Sequence, residues 1–232
     1  MGSVLRPGII QNDLVMAVDA YNPKSYPGSG NVWFDLSGNG LNMTCGSGRL
    51  SSTGLTSGVS SASTASTNIL NTDCHTICFA MKFMGTATYP NGHTGGWEQF
   101  LDYSAGGSDR TPGFWRYPSE VSVHYRYDPG NTGADFNNSV PFNSSGQFPL
   151  NTWFYMCCTK NGTTATTYKN GVLHDTTNAV ASPKTRGSAA IRLFNYYTAD
   201  MAQIGCLQIY RRPLSATEIA QNFATIRGNY GI

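Results

Sequence analysis

The chain has 232 residues, with 15 Lys and Arg against 13 Asp and Glu, and a net charge of +2. That balance leaves no basic footprint for nucleic acid, and no apolar run is long enough to span a membrane. Charged residues make up only 12% and glycine is abundant, a mixture that suits short strands joined by tight turns in one all-β sandwich or barrel.

Residues 1–12 read as an N-terminal arm. The opening MGSVLRPGIIQND lacks the apolar core and small-residue site of a signal peptide, and Arg6 stands where a myristoylation pattern needs Ser or Thr. Residues 13–20 (DLVMAVDA) form a near-continuous apolar run and predict a central strand, followed by a loop at YNPKSYPGSG. Residues 32–36 (VWFDL) predict a short strand, closed by the turn Ser37-Gly38-Asn39-Gly40. Low in bulk, residues 46–68 predict surface loop or weak edge strands.

Residues 75–84 alternate cleanly, with Ile77, Phe79, Met81 and Phe83 on one face and Cys74, Thr76, Cys78, Ala80 and Lys82 on the other. Strands follow at 97–103, 114–117 and 120–127, the last two as a hairpin around Pro118-Ser119. Residues 128–149 make the longest polar insertion, a length that is uncommon without function. Residues 151–159, 163–168, 172–174 and 189–194 predict four more strands, with Asn170-Gly171 as a hairpin turn.

The chain ends on a strand and a helix. Ile204, Cys206, Gln208 and Tyr210 alternate with Gly205, Leu207 and Ile209, and Pro213 stops the ladder because it has no N–H. Ser215 and Glu218 match a capping box, and Leu214 with Ile219 matches a hydrophobic staple. Ile219, Phe223 and Ile226 recur at helical spacing, with Gly228 placed to close the helix. About twelve short strands and one late helix predict two packed antiparallel sheets, a jelly-roll sandwich over residues 13–232.

Six cysteines, at 45, 74, 78, 157, 158 and 206, form no Cys-x-x-Cys pair. Cys157 and Cys158 are adjacent in a strand, so they point to opposite faces and cannot share one partner. Their apolar neighbours favour reduced thiols packed as small core residues.

Three stretches resemble concanavalin A-like (laminin-G-like) jelly rolls: residues 14–20 with Trp33-Phe34-Asp35-Leu36-Ser37-Gly38-Asn39-Gly40; Trp153 with Lys160-Asn161-Gly162 and Tyr168-Lys169-Asn170-Gly171; and the ending from Ile204-Gly205 to Asn222-Phe223. The wording AYNPKSYPGSG and NYGI is most similar to versions in tailed-bacteriophage virion proteins. The resemblance implies a non-enzymatic virion structural protein, a capsid decoration or tail/fibre component made in the host cytoplasm. Its expected partners are other virion subunits, a second copy of itself, and host cell-surface glycan. A soluble lectin-like module and a glycan hydrolase are the alternatives, since the fold hosts all three.

Hydrolases of this superfamily carry a Glu-x-Asp-x-x-Glu cluster on one strand. The nearest approach is Glu98 and Asp102, which strict alternation puts on one face roughly 13 Å apart, too far for two-carboxylate chemistry. No catalytic residue is assigned. Laminin-G-like relatives often hold calcium with loop oxygens, and Asp102, Asp109, Asp128 and Asp135 are the candidates here; no cofactor is otherwise implied. The best ligand-binding candidates lie in the aromatic-basic hairpin: Trp115, Arg116, His124, Tyr125, Arg126 and Tyr127. Their rings can stack on sugars while the charged groups hydrogen-bond, whereas the plainer expectation is core tyrosines with solvated charges. His75 and His93 show no partner in the sequence.

Overall fold

The computed structural model describes residues 8–58, 62–70, 72–85, 98–104, 110–117, 122–128, 139–141, 148–177, 188–194 and 202–232. They form sixteen strands and one helix. The first eight-stranded sheet runs β14(Val172–Thr177), β13(Thr164–Lys169), β12(Phe154–Asn161), β7(Cys74–Phe83), β16(Ala202–Tyr210), β5(Gly54–Thr56) and β4(Leu50–Ser51), with β1(Leu14–Asp19) also paired to β16. The second runs β11(Ser139–Pro141), β10(Ser122–Asp128), β9(Arg110–Tyr117), β8(Glu98–Ser104), β15(Ala190–Leu193), β6(Ala62–Ser63), β3(Met43–Cys45) and β2(Val32–Trp33). All their pairings are antiparallel, giving the expected all-β sandwich.

The alternation of β7 decides what lies between the sheets. Ile77, Phe79, Met81 and Phe83 enter the main core, while Cys78 and Ala80 face the other way. Phe79 meets Phe114 of the opposite sheet edge-on at 5.1 Å and Phe100 at 5.6 Å, the T-shaped geometry that ring quadrupoles favour. Outside the first sheet, α1(Ala216–Tyr230) covers a second cluster that includes Leu14, Tyr155, Tyr210, Leu214, Ile219 and Ile226.

The capping box forms in full: Ser215 Oγ accepts from the Glu218 N–H, and Glu218 accepts from the Ser215 N–H at 2.8 Å. The helix end differs from expectation. Gly228 lies inside α1, and Gly231, at φ 68°, takes the left-handed cap and donates to the Arg227 carbonyl. Phe223 is only half-buried, stacked on Tyr155 at 6.0 Å.

The strand expected at 32–36 stops at Trp33, because the backbone beyond it has other partners. Leu36 N–H donates to the Ala17 carbonyl, and Asp35 accepts from the N–H groups of Ala17, Ser37 and Leu41. Among the described residues of 46–68, three two- or three-residue strands occur, and Leu50, Leu55 and Ala62 reach the core.

The all-reduced expectation for the cysteines fails at one pair. Cys78 and Cys157 stand directly opposite each other in β7 and β12, both on the helix-covered face, and form a disulfide. Cys45, Cys74, Cys158 and Cys206 are free. As the alternation requires, Cys158 turns into the main core while Cys157 turns toward the helix.

Candidate functional site on the outer face of the second sheet

A bulge in β8 builds this face. Gln99 pairs with Trp115 and Leu101 with Phe114, leaving Phe100 as the extra residue. Phe100 and Leu101 both enter the core, so Asp102 turns outward. The bulge falls between Glu98, which pairs with Arg116, and Asp102, which pairs with Gly113, so strict alternation does not run from one to the other; the Glu98 side chain lies outside the described residues.

Register then gathers residues distant in sequence. One transverse row crosses the whole sheet through Val32, Thr44, Ser63, Arg192, Asp102, Gly113, Arg126 and Ser139. The next row holds Gln99, Trp115 and His124. Thr44 and Ser63 are exposed hydroxyls, and the Arg192 side chain is 38% exposed. Asp102, only 4% exposed, forms an ion pair with Arg192 at 3.6 Å. Trp115 lies back over Gly113, where an added Cβ would come 2.9 Å from its indole nitrogen. Beside it Gln99 is 3% exposed, and its Oε1 receives no hydrogen bond from any described residue. A buried acceptor left without a donor is costly unless something brings one to it.

The six hairpin candidates divide between faces. Trp115 is on the outer face, though 9% exposed. Arg116 is buried inside, donating to the Gly85 carbonyl at 2.6 Å with its guanidinium 4.4 Å from the Phe83 ring. Tyr125 is also inside, 2.8 Å from His75 Nε2 of the other sheet. Register sets His124 opposite Trp115 and Arg126 opposite Gly113, while the side chains of His124, Arg126 and Tyr127 lie outside the described residues. Of the calcium candidates, Asp109 and Asp135 and the Asp128 side chain also lie outside them. Asp102 is engaged by Arg192, and among the described residues no three His, Cys, Asp or Glu side chains gather as a metal site. The insertion at 128–149 and His93 lie largely or wholly outside the described residues.

His75 does have a partner. It is fully buried, and burial, with the Lys160 charge, lowers its pKa to about 3, so the ring is neutral where it meets Tyr125. Lys160, equally buried, pairs with Asp73 at 3.0 Å. The His75–Tyr125 bond joins the two sheets, while the Lys160–Asp73 pair stays within the first.

Gln99 and Arg192 were not singled out from sequence. Arg192 carried a signal, a lone charge between the apolar Ile191 and Leu193 of one strand, which places it outward. For Gln99 the signal was hidden by the bulge.

The family model described as "Concanavalin A-like lectin/glucanases superfamily" matches residues 88–220. No curated protein matches the sequence. Among solved structures, a Trypanosoma rangeli sialidase in complex with 2,3-difluorosialic acid matches at TM-score 0.65 and 14% identity, covering 92% of this chain and 33% of the sialidase. The binding domain of botulinum neurotoxin serotype D matches at TM-score 0.67 and 15% identity, covering 92% of this chain and 52% of that one. This chain therefore spans only a third to a half of those proteins, and at such identity the likeness speaks for the fold alone. No helix among the described residues is long and apolar enough to cross a membrane. Since the family match takes in more than half of the sequence, and the two antiparallel sheets agree with it, the chain belongs to the concanavalin A-like lectin/glucanases superfamily.

Proposed function

We propose that this protein is a non-enzymatic carbohydrate-binding domain, with its glycan site on Thr44, Ser63, Arg192 and Asp102 of one row and Gln99 and Trp115 of the next. The observation that carries the reading is the Gln99 Oε1 beside Trp115, to which no described residue donates, next to an Arg–Asp pair and two exposed hydroxyls on the same face. Sugar hydroxyls both donate and accept, so one ring can satisfy Gln99 and Arg192 while its C–H face lies against the indole edge. The hold of Arg192 on Asp102, which engages the carboxylate, favours binding over hydrolysis.

A glycan array followed by titration tests this. Arg192→Ala, at a partly exposed position, should weaken any retained glycan by about tenfold or more with an unchanged circular dichroism spectrum, and Trp115→Ala should do the same or worse. Chelation with EDTA should leave binding intact. An array with no retained glycan, with or without calcium, sinks the reading; turnover of a bound glycan would replace it with hydrolysis.

A second reading concerns the setting. The wording at residues 20–30 and 229–232 favours a bacteriophage virion component, in which this domain would contact other subunits and present the glycan face to the host. Mass spectrometry of purified particles tests it, and absence of the chain from them would refute it.

A further inference from the structure

A second, unrelated hollow lies on the opposite side of the molecule, between the N-terminal segment, β1, β16 and α1. Ala17 of β1 stands opposite Gln208 of β16, and its single methyl leaves a cavity of about 180 Å³. Ile9, Leu36 and Ile226 give it apolar walls, and Asp19 and Gln208 supply polar groups.

The orientation of Gln208 is fixed by a chain of bonds. The Ile10 N–H donates to Asn222 Oδ1 at 2.8 Å, so the Asn222 amide nitrogen must point the other way. It donates to the Tyr210 hydroxyl at 2.9 Å and to Gln208 Oε1 at 3.4 Å. Tyr210 in turn donates to the Ile10 carbonyl, and the Tyr155 hydroxyl donates to Gln208 Oε1 at 2.9 Å. Gln208 is 3% exposed and its oxygen is doubly occupied, yet its amide nitrogen donates to no described group. Two donors are thus left for the cavity that Gln208 lines.

Asp19 is the complementary group. Its Oδ1 accepts from the Tyr21 N–H at 3.0 Å and the Tyr230 hydroxyl at 2.9 Å, while Oδ2 accepts nothing among the described residues. No described Lys, Arg or His pairs with it, and burial raises its pKa. Asp19 is half-buried, and a carboxylate partly withdrawn from water without a cation is stabilised by one that arrives. Asp19 lies two residues along β1 from Ala17, about 7 Å on the same face. We propose that this cavity binds a small free ammonium compound of amino-alcohol or amino-acid-amide size, its charge on Asp19 and a hydrogen-bond acceptor on the Gln208 amide. The volume agrees, since a cavity of roughly 150 Å³ holds a six-carbon ring.

The test is a titration of the ¹⁵N-labelled full chain with ethanolamine, with 1-propanol as the neutral isostere and Nα-acetyl-lysinamide as a stand-in for a peptide lysine. Ethanolamine should produce saturable shifts of the Gln208 side-chain amide and of the backbone near Asp19, and propanol should bind at least about tenfold more weakly. Asp19→Asn keeps the acceptor for Tyr21 and Tyr230 but removes the charge, and should weaken ethanolamine by about tenfold. Ala17→Leu should fill the hollow and abolish binding; if that variant does not fold, Asp19→Asn decides. No saturable shift, equal binding of propanol, an unaffected Asp19→Asn, or binding of the lysinamide alone would each overturn the proposal.

Discussion

Arg212 grips Glu218 through both terminal guanidinium nitrogens, at 2.5 and 2.9 Å, while Ser215 adds its N–H and hydroxyl. The hydrogen bonds from Arg212, then those of Ser215, hold the Glu218 pKa down to about 2. A depressed carboxylate stabilises the fold fully above its unfolded value, and that contribution disappears as pH falls through the folded value. Glu218→Gln should therefore lower the melting temperature at about pH 6, and the two melting curves should converge near pH 2. His75 acts in a different window. The unfolded ring takes up its proton near pH 6.5, whereas the buried one resists until about pH 3, so stability falls as pH drops between these values. Above about pH 5 the acid slope should belong to His75 rather than to Glu218, and His75→Gln should flatten it while still offering Tyr125 a hydrogen bond. An unchanged slope between pH 6.5 and 5 in urea titrations would refute the assignment.

At the scale of elements, the terminal helix is seated by contacts of unequal weight. Phe223 is half-buried over Tyr155 and Gly171, so Phe223→Ala should cost about 1–3 kcal/mol, less than a fully buried ring. Gly205 of β16 is more demanding, because the Tyr230 ring occupies the space of an added Cβ. Gly205→Ala should displace that ring from Asp19 and Trp153 and cost about 2–3 kcal/mol in a urea titration. Beneath the helix, the β7–β12 disulfide makes a further prediction. Alkylation of the denatured, unreduced protein should label Cys45, Cys74, Cys158 and Cys206 but spare Cys78 and Cys157. Labelling of all six would show the pair to be reduced.

For the whole molecule, the two proposed sites differ in how they are made. The glycan row is assembled from five strands brought side by side, so no two neighbouring positions of the sequence announce it. The ammonium cavity arises where a small residue, Ala17, faces a buried amide under the helix. Each can be lost without the other: Arg192→Ala should spare ethanolamine binding, and Asp19→Asn should spare glycan.

What the sequence determined by itself is what local physics controls. Alternation assigned the two faces of β7, the Ser215–Glu218 box located the start of α1, and Asn170-Gly171 located a hairpin turn, because each depends on dihedrals and partners within a few residues. Local spacing misplaced the end of the helix at Gly228, since a left-handed cap depends on where packing ends and not on where a glycine first occurs. Only the tertiary structure decided that Asp102 faces outward beside Arg192, that Arg116 and Tyr125 turn into the sandwich, that His75 meets Tyr125, and that Cys78 meets Cys157. Those outcomes follow from strand register and one bulge. In a period-two structure, a single extra residue moves every later side chain to the other face.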